Sequence, residues 1–374
     1  MKRIFIAFAA MMMLACTPGK SGEVSSTNDG AQDVYVFGYE RDSTSISDEY
    51  PEGKSIVVYW KDGKSYVISE ETGVPEGYDE FSPMDMMIVD GDRVYLGAAS
   101  RKGSDDSDLF IYEKGKFSKI MPHEGCNGLR LCYVGGKIKM IGCVEARGEN
   151  NALIETPAIW DMDGNCTKVD MGEYTNCNLN DIAVSGDDWY ACGRVYGEDI
   201  WHGVGAIWKN GKLSTYPAPD NGITMFGFTA IGVSGSDVYT TMVSGKTKGD
   251  DNCGITLWKN GKVETELVKP LNLPMTECIA IDGKDVYVGG YNEKMVDEEN
   301  RVMIGSPSIW KNGKLMDIDK MDEMGRIASI AVSNGNVYAT GDHVFSGALW
   351  SNGKMTLLPG ADGEGTAVKV LIGR

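Results

Sequence analysis

Apolar and polar residues alternate in short runs along most of this chain, and the runs are broken by turn residues at regular intervals. Period-two alternation bounded by Asn-Gly or Asp-Gly marks paired strands, because both residues of the tightest hairpin turn must take positive φ. Ala206-Ile-Trp208 and Lys212-Leu-Ser-Thr215 flank such a turn. Ile231-Gly-Val233 and Val238-Tyr-Thr-Thr241 flank a second kind of tight turn, Ser234-Gly-Ser-Asp237.

Two phrases recur. The first is an aromatic, polar residues and a Gly: Trp60-Lys-Asp-Gly63, Tyr112-Glu-Lys-Gly115, Trp160-Asp-Met-Asp-Gly164, Trp208-Lys-Asn-Gly211, Trp258-Lys-Asn-Gly261, Trp310-Lys-Asn-Gly313 and Trp350-Ser-Asn-Gly353. The second is Asp-Val-Tyr, anchored at Tyr35, Tyr95, Lys139, Tyr190, Tyr239, Tyr287 and Tyr338. They alternate without exception at a mean spacing of about 49 residues, a blade length of propeller repeats. One hairpin pair cannot bury both faces of its sheet, so neighbouring blades must supply the core. Six of the eight Trp fall in the third-strand slot and Trp189 in the second phrase, and inter-blade packing accounts for all seven. The prediction is an all-β, seven-bladed β-propeller of four-stranded antiparallel blades. Thr366-Ala-Val-Lys-Val-Leu-Ile-Gly373 has the pattern of a first strand with no second to follow, and Asp33-Val-Tyr-Val-Phe-Gly38 that of a second strand with no first. Pairing the two closes the ring and removes the exposed sheet edges.

The N-terminus carries a different signal. Met1-Lys2-Arg3 precedes an uncharged apolar run from Ile4 to Ala15, the form of a secretory signal, too short to span a bilayer as a helix. Met13-Leu14-Ala15-Cys16 resembles the bacterial lipobox, whose Cys is lipidated. Residues 17–30 hold almost nothing apolar and read as a flexible tether. The expected organisation is a signal peptide over 1–15, a lipidated Cys16 with its tether over 16–30, and the propeller over 31–374. The mature chain resembles bacterial outer-membrane lipoproteins of the Bacteroidetes type with propeller repeats of kelch or WD40 length. It lacks the regular double glycine of kelch and the Trp-Asp of WD40, so the resemblance transfers no functional residue. It implies an envelope protein, periplasmic or at the cell surface, tethered to a membrane by lipid.

Charge narrows the partners. Loss of Lys2 and Arg3 with the leader moves the formal charge from −18 to −20, which argues against nucleic acid or anionic lipid. A monomer that takes a protein or glycan ligand fits better. Cys126, Cys132, Cys143, Cys166, Cys177, Cys192, Cys253 and Cys278 hold no fixed place in the repeat and form no CxxC pair. They read as mostly buried thiols, with one or two bridges that spacing does not assign.

Candidate chemistry falls on the two sets of long connections, which share one face of a propeller; variable loops on a rigid scaffold carry function. These run over Gly38–Lys54, Gly97–Asp108, Gly142–Pro157, Gly193–Gly205, Val243–Gly254, Gly289–Pro307 and Gly341–Gly347. Trp201, beside His202 and near Tyr196, is the one Trp that the repeat leaves unexplained, and exposed aromatics bind sugar faces or protein hot spots. Tyr291 and Phe345 are further candidates. The three histidines, His123, His202 and His343, with Asp250 and Asp251, are weak candidates for a metal site. Asp105, Asp106 and Asp108 are among the acid clusters that could offer oxygens to Ca²⁺, and no other cofactor is implied. Asp161-Met-Asp163-Gly-Asn165 imitates the start of an EF-hand loop but occupies a hairpin turn. No Gly-x-Ser-x-Gly, His-Glu-x-x-His or P-loop occurs. The expected function is non-catalytic binding or scaffolding. The alternative is a polysaccharide hydrolase or lyase using loop carboxylates or a metal at the central channel.

Overall fold

A computed structural model describes residues 32–47, 54–122, 125–148, 153–197, 203–217, 225–245, 253–272, 275–297, 302–319, 324–344, 346–360 and 365–373. They form seven four-stranded antiparallel sheets. Six sheets take four consecutive strands. Blade 1 takes Val34–Asp42, Lys54–Lys61 and Lys64–Val67, and its innermost strand is Gly365–Ile372 from the other end of the chain. The seven innermost strands neighbour one another in ring order around the axis. They are Gly365–Ile372, Tyr78–Val89, Cys126–Val134, Asn176–Ser185, Met225–Ser234, Met275–Asp282 and Gly325–Ser333.

The apolar clusters lie between blades. Tyr190 and Cys192 of blade 4 pack with Phe228, Ile231 and Trp258 of blade 5. Tyr287 and Ile309 of blade 6 pack with Ile327 and Trp350 of blade 7. The tryptophans also bond across these junctions: Trp60 Nε1 donates to the Pro359 carbonyl, Trp208 Nε1 to Asp170 and Trp350 Nε1 to Asp319. Inter-blade packing is therefore what the third-strand Trp provides.

The two sequence phrases prove to be halves of one device. In blade 4, Asp188 of the second phrase bonds both Lys209 and Asn210 of the first, and the Lys209 ammonium sits over the Tyr190 ring. Asn210 Oδ1 in turn accepts the Trp189 N–H. Blade 5 repeats this with Asp237, Lys259, Asn260 and Tyr239. Blade 6 does so with Asp285, Lys311, Asn312 and Tyr287. Asn210 and Gly211 both take positive φ, at 50° and 84°, as a type I′ turn requires. The Asp-Val-Tyr phrase thus recurs because it holds the third-to-fourth-strand hairpin beside it.

Each innermost strand breaks register against its neighbour at the same height in all seven blades, and that of blade 2 breaks a second time between Tyr78 and Glu80. In blade 4 the break lies between Leu179 and Asp181, leaving Asn180 as the bulged residue. Opposite it sits Gly193, and a Cβ added there would overlap the Asn178 carbonyl oxygen. Gly38, Gly97, Gly142, Gly290 and Gly341 are placed likewise against first-strand carbonyls in five other blades; blade 5 has Met242 there, which nothing in the structure explains.

Two expectations need correction. The glycines expected to open the long connections lie inside strands that run on past them, to Tyr196 in blade 4, Asp297 in blade 6 and His343 in blade 7. Tyr95 is not the true second-phrase anchor of blade 2: Val94 fills that register, and Tyr95, one residue on, faces blade 1 beside Tyr35 and Tyr59, because a one-residue shift reverses the face. Of the seven described cysteines five are buried, as expected of mostly buried thiols, and no S–S bond joins any two of them in this structure; the side chain of Cys253 lies outside the described set. The signal peptide, Cys16 and the tether also lie outside it. No helix among the described residues is long and apolar enough to cross a membrane.

Candidate functional site

Polar side chains at or beside several of the bulges bond from one blade to the next, and a polar contact crosses each junction of the ring. Asp85 of blade 2 accepts the Leu131 N–H of blade 3 and pairs with Lys369 of blade 1 at 2.6 Å. Glu155 and Asn176 join blades 3 and 4. Asp181 of blade 4 accepts the Ile231 N–H of blade 5, and Asn180 donates to the Phe228 carbonyl. The hydroxyls of Thr229, Thr241 and Thr276 form a closed triangle across blades 5 and 6. Arg326 of blade 7 bonds both Glu277 oxygens of blade 6 at 3.1 Å and also its own neighbour Asp342. Ser329 accepts the Val370 N–H, closing blade 7 onto blade 1.

These bonds satisfy edge groups that would otherwise be buried without partners, a cost of roughly 1–3 kcal/mol each. They also set the charge pattern. Burial pushes the Asp181 carboxyl up to about 6, against the opposing pull of Arg130. Glu277 and Asp342 are raised by the same cause and lowered in part by Arg326.

A cavity of about 330 Å³ opens at the junction of blades 3 and 4. Asn127, Glu155, Asn178, Asn180 and Arg194 supply its polar groups, with Cys143 and Leu179 in the wall. Glu155 accepts from Asn127 at 2.9 Å. Arg194 Nε donates to Asn178 Oδ1 at 2.7 Å, and its guanidinium lies 5.0 Å from the centre of the Tyr196 ring. The lining lies on the pre-bulge half of Asn176–Ser185, the end reached by the connection from blade 3. This is the long-loop face. The volume is at the small end for ligand pockets, and the amides offer both donors and acceptors.

Of the residues singled out from the sequence, Tyr196 is buried at 7% exposure and enters only as the platform under Arg194, not as an exposed aromatic. Tyr291 is half-buried in blade 6, where its ring packs 3.2 Å from a Cβ built on Gly305. His343 is buried at 4% exposure in the last position of its strand, with no hydrogen-bond partner at Nε2, so it is not a surface ligand open to water. Its register partner Gly325 abuts Pro307 of blade 6. Tyr291 and His343 therefore lie at the blade 6–7 junction, apart from the cavity.

Trp201, His202, Phe345, His123, Asp250 and Asp251 lie outside the described residues. Asp108 is withdrawn from any Ca²⁺ cluster: it is buried and bonded by Arg101, Lys119 and Tyr78, whose bonds, Arg101's foremost, hold its carboxyl well below the usual range. No group of three or more His, Cys, Asp or Glu among the described residues could hold a metal ion. Asp161 closes its hairpin turn by accepting the N–H groups of Asp163 and Asn165.

No family model and no curated protein matches this chain. Among solved structures it is similar to an acylaminoacyl peptidase in complex with Z-Gly-Gly-Phe-chloromethyl ketone. The TM-score is 0.52 at 11% identity, over 90% of this chain and 52% of that one. It is also similar to uncomplexed acylaminoacyl peptidase of Pyrococcus horikoshii, with a TM-score of 0.51 at 11% identity over 88% and 51%. The chain spans about half the length of these peptidases, and at that identity the likeness is one of fold alone.

Proposed function

We propose that this protein is an exported lipoprotein, held at a membrane by lipid on Cys16, whose propeller binds glycan or protein through its long-loop face and performs no chemistry of its own. The observation that carries the reading is the cavity between blades 3 and 4. Three amides, a carboxylate and an anchored guanidinium converge there, a donor and acceptor set suited to sugar hydroxyls or peptide groups. The rival reading, a polysaccharide hydrolase or lyase, draws on the raised carboxyls of Glu277 and Asp342. Arg326 bonds both, which favours an inter-blade clamp over a free acid and base.

A glycan array probed with the purified protein tests the proposal. Retention of a defined set of glycans, with no new reducing ends on prolonged incubation, is the expected result. Release of reducing ends or unsaturated products would move the assignment to the rival.

A further inference from the structure

We propose that Cys143 and Cys177 form a disulfide that ties blade 3 to blade 4 at the wall of the cavity. Cys143 belongs to the strand Lys137–Arg147 and Cys177 to Asn176–Ser185, the innermost strand of the next blade. Their sulfurs lie 3.8 Å apart, in contact across the junction, and the two residues are 5% and 0% exposed. Side-chain rotation has to bring them to about 2.05 Å, the length of an S–S bond. Elsewhere Cys132 contacts the carbonyl of Lys139, and Cys192 and Cys278 lie in separate blade junctions. Cys143 also lines the cavity, so the bond would fix one wall of the candidate site.

The chemistry is thiol–disulfide exchange. The two thiols lose two protons and two electrons as the S–S bond forms, and a small disulfide or a disulfide oxidoreductase is reduced to two thiols. The Cys143 contact and burial raise the Cys177 thiol far above its ordinary range. The exchange therefore takes place during folding, before the blades dock, where thiolate is accessible. It needs an oxidising compartment and so rests on the export reading for its occurrence in cells, but the pairing itself can be tested without that reading.

The reduced, denatured protein is refolded in mixed reduced and oxidised glutathione. Free thiols are then alkylated in denaturant and the digest is mapped without reduction. A linked species joining the peptides of Cys143 and Cys177 is expected, and the Cys143→Ala variant should lose it and yield alkylated Cys177. Reduction should lower the melting temperature of the wild type by on the order of 5 °C and leave the variant unmoved. Two alkylated cysteines in the wild type, a bridge from either to a different cysteine, or equal melting shifts would overturn the pairing. A bond formed in the test tube but absent from protein isolated from cells would count against export and leave the geometry standing.

Discussion

The bulge that recurs in every blade makes Gly193 the most informative single position. Its Cα faces the carbonyl of Asn178, and a methyl group there would overlap that oxygen and come within 2.9 Å of the carbonyl carbon and 3.2 Å of the Leu179 Cα. All three are backbone atoms of a strand paired along its length, so no side chain can swing aside. Overpacking in a well-filled interior costs roughly 1–3 kcal/mol, and a backbone obstacle puts Gly193→Ala near the top, about 3 kcal/mol. Gly197 is the control: it lies four residues on, with nothing within 4 Å of an added Cβ and no positive φ. Gly197→Ala should stay within about 0.5 kcal/mol of wild type. Urea unfolding followed by tryptophan fluorescence reads both, with the midpoint shifting and the slope unchanged for a pure stability effect. Equal midpoints for the two variants would refute the account of why glycine faces the bulge.

Two other perturbations follow from the same ring. Removing residues 365–374 deletes the innermost strand of blade 1, including Ala367 and Val370 of its core, and bares the strand Val34–Asp42; the thermal transition should lose its cooperativity, and a sharp transition near the wild-type temperature would argue against closure by that strand. Asp181→Asn keeps an acceptor for the Ile231 N–H but removes the ionisation. Because the folded carboxyl titrates near 6 and the unfolded one near 3.8, the unfolded state binds fewer protons between those values and the wild type loses stability as pH rises through the window. The variant's advantage should therefore grow from pH 4 to pH 6 by on the order of 3 kcal/mol and then level off, and a flat difference across that range would show that Asp181 is not buried as an acid.

The sequence made the ring legible because two phrases repeat with side chains that touch. Lys209, Asn210, Asp188 and Tyr190 are bound to each other, so the blades that carry the device keep both halves. The bulge stayed hidden because the residues that follow it, Lys369, Asp85, Arg130, Asp181, Ala230, Cys278 and Ser329, share no chemistry. Its trace was the glycine three residues after the second-phrase slot, which alternation alone cannot distinguish from a loop boundary. The cavity was missed for a related reason. Its polar groups come from four strands of two blades, and only contact across the junction unites them. The alternating Asn176, Asn178 and Asn180 in an otherwise apolar strand position was the available signal, since amides are costly at an inner edge unless partnered or exposed to a ligand.

Calorimetric titration of the best-retained glycan into wild type and Arg194→Ala reads whether the blade 3–4 cavity is the binding site. With melting temperatures matched, binding by the variant should be at least about tenfold weaker, the loss of one charge-assisted hydrogen bond. Unchanged affinity in Arg194→Ala would place the ligand elsewhere on the ring and contradict the assignment.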